Sequence, residues 1–121
     1  MSTAVDTEIA EKVETLNEMI LDGSALEAFE KFYHEDVVMQ EGAEEPFEGK
    51  ALNRKREEDF FSSITELRDV ELKAVAVGDG VSMVEWHFDY VHKDWGHQKY
   101  DQVAVQRWQD GQIIHERFYK A

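Results

Sequence analysis

The sequence FYHEDVVMQEGAEEPFEG, residues 32–49, decides the fold class of this chain. It begins at the end of a short amphipathic pattern, continues through the β-branched pair Val37 and Val38, and ends in an acidic segment with the only proline. A change from helical to extended patterning predicts a short strand directly after a helix. We therefore expect residues 36–40 to form a strand and residues 41–49 to form an irregular loop.

Two helices are predicted before this stretch and one after it. Apolar side chains recur through residues 6–21 at the spacing of one helix face, and a glycine turn ends the pattern. Ser24 and Glu27 have the spacing of a capping box, so a second short helix is expected to begin there. The third helix is expected to carry Phe60 on its apolar face, which continues to Ile64.

The C-terminal half has the pattern of a β-meander. From Val70 onward the apolar period is two, and three turn segments separate four extended segments. One face of the second segment is expected to carry Val84, Trp86, Phe88 and Tyr90. Counted from the Asp110 turn, the inward-facing residues of the last two segments are expected to be Gln102, Gln106, Trp108, Ile114, Glu116 and Phe118.

This order of elements predicts an α+β protein whose helices cover one face of a sheet. Together with residues 32–49 and the closing pattern WQDGQII at residues 108–114, it resembles the NTF2-like superfamily. That superfamily includes ketosteroid isomerases and SnoaL-like polyketide cyclases. The length of the chain predicts a single domain over residues 1–121. The resemblance, which extends from about Ile9 to Tyr119, implies a cystatin-like cone of about three helices on a curved antiparallel sheet. Enzymes, ligand-binding proteins and assembly domains share this fold, so the fold alone does not give the function.

Composition excludes several classes of function. The 121 residues include 27 acidic and 13 basic side chains, and a net charge of -14 repels nucleic acids. The absence of cysteine excludes disulfides and thiolate catalysis. No apolar stretch approaches the length of a membrane span, and the first residues lack a signal-peptide pattern, which together predict a cytoplasmic protein without membrane contact.

The resemblance implies a candidate base. Glu41 falls where ketosteroid isomerases have the aspartate that moves a proton, and partial desolvation of a carboxylate raises its pKa. The alternative is a solvated loop glutamate. The same resemblance places Asn17 and Ala104 where that enzyme needs two proton donors, and because Ala104 has no donor, steroid isomerisation by that mechanism is disfavoured.

Glu116 is the second candidate catalytic carboxylate. If it is buried it needs a partner, for which Gln106 and His34 are candidates, whereas a shift of one residue in register would turn it to solvent. Apolar walls with a few polar groups suit a small-molecule site, although the aromatic side chains could simply fill a core. The predicted substrate-binding residues are Asn17, Phe60, Trp86, Phe88, Gln106, Trp108 and Phe118.

A metal site is not expected. His87, His92 and His97 are five residues apart, and that step reverses the strand face each time. A weak divalent site on the face of Glu85, His87 and Asp89 is the alternative. None of the functions considered requires a cofactor.

Two functions remain open from the sequence. The first is a SnoaL-like acid-base enzyme, an isomerase, cyclase, dehydratase or hydrolase acting on a small apolar molecule with Glu41 as base. The second is a non-catalytic small-molecule-binding or dimeric scaffold domain. A homodimer is expected in either case, because Val103, Val105 and Ile113 should leave apolar surface on the outer sheet face.

Overall fold

A computed structural model describes residues 3–121 as three helices against one six-stranded sheet, which confirms the predicted α+β class. The helices are α1 (Thr3–Leu21), α2 (Ala25–Phe32) and α3 (Lys50–Ser62). The strands are β1 (Tyr33–Glu41), β2 (Phe47–Glu48), β3 (Ile64–Gly78), β4 (Val81–His92), β5 (Gly96–Gln109) and β6 (Gln112–Lys120). Their order in the sheet is β2-β1-β6-β5-β4-β3. None of the described helices is long and apolar enough to cross a membrane.

The sheet is mixed, so the expectation of a purely antiparallel sheet is wrong in one place. β3 to β6 form the predicted antiparallel meander, but β1 pairs in parallel with β6. Parallel neighbours need a long connection, and the chain from β1 to β6 supplies it. As a result, Met39 of β1 lies beside Glu116 of β6, and Glu41 lies beside Phe118.

Several boundaries and one cap differ from the expected ones: β1 begins at Tyr33, β2 lies within the expected loop, and the meander begins before Val70. Glu41 ends β1 instead of lying in a loop, because β1 is paired on both sides, by β6 and by the two residues of β2. Ile64 opens β3 and does not belong to α3, since its backbone pairs with His92 of β4. Ser24 precedes α2 as expected but makes no side-chain cap, and its N–H donates to Asp22 Oδ1 at 3.0 Å.

A β-bulge reverses the expected orientation of two isoleucines. Arg107 pairs with His115, whereas Trp108 pairs with Ile113, so Ile114 is the extra residue. Ile113 is therefore fully buried in the core, and the expectation that it faces outward is wrong. The alternation of β6 shifts by one residue across the bulge, so Ile113 and Glu116 both face the interior.

The helices pack on one face of the sheet, which we call the inner face. Ile9 and Val13 of α1 contact Val84 and Trp86 of β4 in one core cluster. A second cluster joins α1, α2, β1 and β6, and its buried residues are Leu16, Ala28, Phe29, Phe32, Tyr33, Val37, Met39 and Ile113. These clusters fill only part of the space between the helices and the sheet.

Candidate active site

A cavity of about 540 Å³ occupies the remaining space between the helices and the inner face. Such a volume suits a small molecule. Its buried end includes Leu16, Phe29, Tyr33, Met39, Gln106 and Glu116. Its open end is formed by the exposed residues Asp59, Phe61, Leu67, Asp94, Trp95 and Lys120.

Glu116 lies at the buried end and is 2% exposed. The Tyr33 hydroxyl donates to its Oε1 at 2.6 Å, and the Gln106 amide donates to its Oε2 at 2.7 Å. Gln106 is directly opposite Glu116 in the β5–β6 register, and Tyr33 begins β1, the other neighbour of β6. His34, the other candidate partner, instead accepts a hydrogen bond from the N–H of Asp36 through Nδ1.

A chain of hydrogen bonds orients the Gln106 amide. Trp108 Nε1 donates to Ser82 Oγ at 2.8 Å, and Ser82 Oγ donates to Gln106 Oε1 at 2.6 Å. An indole N–H can only donate, so the serine hydroxyl accepts from it and gives its own proton to Gln106. The amide group of Gln106 must then present its NH₂ to Glu116.

Two carboxyls in the cavity have strongly raised pKa values. Burial raises the pKa of Glu116 to about 7, against the opposing effect of the hydrogen bonds from Tyr33 and Gln106. Burial, followed by the negative charge of Glu116, raises the pKa of Glu57 to about 7. The charge of Glu41 contributes to both shifts. Near neutral pH the cavity therefore contains both protonated and ionised carboxyls, the two forms needed for acid-base chemistry.

α3 presents a polar stripe to the interior of the protein. Lys50 and Asn53 are buried, and Glu57 and Phe60, further along the same face, line the cavity. Asn53 Nδ2 donates to the backbone carbonyl oxygens of Phe47 and Gly49, both at 2.9 Å, which fixes the start of the helix. This anchor places the Glu57 carboxyl inside the cavity.

A pair of tyrosines forms a second polar group in the cavity. The hydroxyl oxygens of Tyr90 and Tyr100 are 2.8 Å apart. Burial raises the pKa of both, with a smaller contribution from the charge of Glu41, so both stay protonated at neutral pH. One hydroxyl proton is used within the pair, which leaves the other to donate to an oxygen atom of a bound molecule.

Residues 5–120 match the family model described as the SnoaL-like domain. The chain belongs to the SnoaL-like domain family. The match extends over nearly the whole sequence, as the resemblance implied. No curated protein matches this SnoaL-like sequence.

Solved structures share the SnoaL-like fold. A protein from Mesorhizobium loti, provisionally named a SnoaL-like polyketide cyclase, is 24% identical with a TM-score of 0.83, over 92% of this chain and 97% of that chain. A protein of the same provisional name from Jannaschia sp. CCS1 is 15% identical with a TM-score of 0.81, over 99% and 90% of the two chains. A provisionally named isomerase from Bacillus subtilis is 18% identical with a TM-score of 0.75, over 100% and 90%. At these identities the likeness shows the fold alone.

Most of the predicted site residues of this SnoaL-like chain line the cavity. They are Glu41, Phe60, Trp86, Phe88, Gln106, Glu116 and Phe118. Asn17 and Trp108 lie outside the lining. Asn17 follows Leu16 around α1 and lines a separate groove of about 350 Å³ between α1 and β3, where its Oδ1 is buried without a hydrogen-bond partner among the described residues. Trp108 packs against Phe32 and reaches the site only through Ser82.

The polar lining residues that were not predicted as site residues include Tyr33, Glu57, Tyr90 and Tyr100. Glu57 belongs to the charged run of residues 54–59, a pattern that predicts a solvated helix face. Its spacing from Phe60 was the available signal, because residues three apart lie on the same side of a helix. Tyr90 was expected on the inner face, but nothing in the sequence indicates that its hydroxyl meets that of Tyr100.

The histidines do not form one site within the described part of the chain. His87 Nδ1 is 2.7 Å from Asp101 Oδ1, and ligand atoms of Asp69, Glu71 and His87 lie within 4.8 Å of one another. This group lies on the outer face and is largely exposed, whereas His92 lines the cavity. The outer group takes no part in the cavity.

Proposed function

We propose that this SnoaL-like protein is an acid-base enzyme that transfers a proton on a small, mainly apolar molecule. The observation that carries the proposal is Glu116, a buried carboxyl at the inner end of an apolar cavity with a pKa raised to about 7. A carboxyl that is half ionised near neutral pH both accepts and donates protons efficiently. Isomerisation, cyclisation, dehydration and hydrolysis can all use such a group as acid or base.

The donors around Glu116 hold the carboxyl in one orientation. Tyr33 donates to Oε1 and Gln106 donates to Oε2, so each oxygen of the carboxylate keeps a second lone pair. A proton taken from a bound molecule binds at one of these lone pairs and returns from the same oxygen. The two hydrogen bonds hold the carboxyl in a fixed position during this exchange.

The remaining polar groups fit the same chemistry. The free hydroxyl proton of the Tyr90 and Tyr100 pair would donate to an oxygen on which negative charge develops, the role of an oxyanion donor. Glu41 lies beside Phe118 on the same inner face as Glu116, and its charge acts on both tyrosines. We retain Glu41 as a second proton acceptor, facing the tyrosine pair.

A non-catalytic ligand-binding or dimeric scaffold function is the second candidate. Ala104 is 2% exposed and lines the cavity where the resemblance calls for an acidic proton donor. Its register partner, Phe118, is also apolar. That part of the wall stabilises a bound molecule only by apolar contact, which favours binding over turnover.

Hydrogen–deuterium exchange separates the two candidates. Small carbonyl compounds that bind the protein would be incubated with it in D₂O, and deuterium uptake next to the carbonyl followed by NMR. We expect faster uptake with the native protein and a loss of about 100-fold or more in Glu116→Gln. Glu48→Gln, an exposed change on β2, is the matched control. Binding without accelerated uptake in any compound would favour the non-catalytic function.

A further inference from the structure

We infer that the molecule bound in this cavity carries a positive charge, an ammonium group attached to an apolar body. This inference rests on the proposed small-molecule site and names the chemical class of its ligand. It depends on the charges that line the cavity, on which of them have partners, and on the rings beside them.

Acidic groups outnumber basic groups in the lining. The acidic residues are Glu41, Glu57, Asp59, Asp94 and Glu116, and the basic ones are Arg56 and Lys120. Neither basic side chain forms an ion pair with a carboxyl within residues 3–121, although the charge of Arg56 acts on Glu57. The Arg56 guanidinium lies 3.6 Å from the centre of the Phe47 ring, and the Lys120 ammonium lies 4.4 Å from the centre of the Tyr100 ring.

The carboxyls of Glu57 and Glu41 have no hydrogen bond or ion pair within residues 3–121. Glu116, by contrast, accepts two hydrogen bonds. Glu57 is half-buried, and the loss of water around its carboxyl, followed by the charge of Glu116, outweighs the charge of Arg56 and raises its pKa to about 7. A cation inside the cavity would supply the missing partner and favour the ionised form.

Aromatic rings line the same cavity as these carboxyls. Phe60 follows Glu57 by one turn of α3, and its ring lies 5.5 Å from the Tyr90 ring and 6.3 Å from the Trp95 ring, measured between centres. Ring faces attract cations, and the attraction increases away from water. A wall of rings next to unpaired carboxyls is suited to an alkylammonium group, whereas an anion would meet repulsion from the same residues.

A matched set of probes tests the inference. Benzyltrimethylammonium, its neutral carbon isostere neopentylbenzene, and phenylmethanesulfonate have similar shapes and differ in charge. Binding would be followed by tryptophan fluorescence at constant ionic strength, because Trp86 and Trp95 line the cavity. We expect the cation to bind about tenfold more tightly than the neutral isostere at pH 8, and the anion to bind most weakly.

Two variants show whether the preference for the cation comes from the cavity carboxyls or from the net charge of the whole protein. Glu57→Gln should remove most of the preference for the cation while neopentylbenzene still binds. Glu48→Gln removes the same charge from exposed β2 and should leave the preference unchanged. If the two variants lost the preference equally, the attraction would come from the net charge of -14, and the inference would be overturned.

The pH dependence gives a second readout. The preference should grow between about pH 6 and pH 8, as Glu57 and Glu116 ionise, and grow less in Glu57→Gln. The other titratable and charged groups that line the cavity with these two carboxyls are Tyr33, Glu41, Arg56, Asp59, Tyr90, His92, Asp94, Tyr100 and Lys120. Equal binding of the cation and the neutral isostere would overturn the inference and leave the proposed site intact. Failure of all three probes to bind would overturn both.

Discussion

The indole N–H of Trp108 is connected to the carboxyl of Glu116 through two intervening side chains, although Trp108 lies outside the cavity. Ser82 and Gln106 form the connection, and its direction is fixed because the indole only donates. Trp108, which does not line the cavity, thus decides which atom of Gln106 faces Glu116.

Trp108→Phe is therefore expected to raise the pKa of Glu116 further. Without the indole N–H, the Gln106 amide can turn its oxygen toward Glu116, and that contact disfavours the carboxylate. The pKa would be measured by NMR titration of ¹³C-labelled glutamate side chains. Ser82→Ala should act in the same direction, and Trp95→Phe, a change at the open end, should have no effect. An unchanged pKa of Glu116 in both Trp108→Phe and Ser82→Ala would refute the proposed orientation.

Glu116→Gln should change how stability depends on pH. The pKa of Glu116 rises from about 4.5 to about 7 on folding, so between these values the folded chain binds more protons than the unfolded chain. Its contribution is fully present below pH 4.5, is lost as pH rises to about 7, and is then constant. The free energy of unfolding of the native protein relative to Glu116→Gln should fall by up to about 3 kcal/mol from pH 4.5 to 8. Urea unfolding of both proteins at each pH provides the measurement. A difference in the free energy of unfolding that is the same at every pH would contradict this prediction.

Glu41→Gln tests the base expected from the sequence. Removing its charge should lower the pKa of both Glu57 and Glu116, because that charge raises them in the native protein. Turnover, once a substrate is known, should fall while the melting temperature stays nearly constant, since the amide is isosteric. Titration and melting of Glu44→Gln, an exposed neighbour, provide the control. Full activity in Glu41→Gln would leave Glu116 as the sole proton acceptor.

Trp86→Ala should destabilise the domain by about 3 to 5 kcal/mol, because it removes a large buried side chain from the core. Trp86 is 3% exposed and packs with Ile9, Val13 and Val84. Trp95 is 59% exposed, so Trp95→Ala should cost far less. Chemical denaturation of both variants provides the comparison, and similar midpoints would show that the Trp86 cluster does not dominate stability.

A homodimer through the outer sheet face remains a prediction, but one of the three residues expected in the interface is excluded. Ile113 is buried and cannot contribute, but Val105 pairs with Met83 and Val103 pairs with Tyr119 in the sheet. Met83 is 47% and Tyr119 45% exposed, which leaves an apolar patch. Sedimentation velocity should give a dimer at micromolar concentration that dissociates in Val105→Glu. A monomeric native protein would exclude this interface.

Local patterns predicted most of the fold because they follow from which face is buried. The alternation through Val84, Trp86 and Tyr90 sets the inner face of β4 without help from distant residues. The bulge at Ile114 and the parallel pairing of β1 depend instead on how strands meet in the folded chain. Glu57 was missed for a related reason, since only the position of α3 over the sheet makes that side of the helix an interior one.

The contact between Tyr33 and Glu116 also has a kinetic consequence, because 83 positions separate the two residues along the chain. Contacts between distant residues require closure of a long loop, and folds rich in them form slowly. During synthesis, β1 has no partner on its β6 side until almost the whole chain has left the ribosome. A chain that ends before residue 112 lacks β6 and would keep the meander of β3 to β5. It would expose one strand edge on β1 and another on β5. We expect such a chain to aggregate.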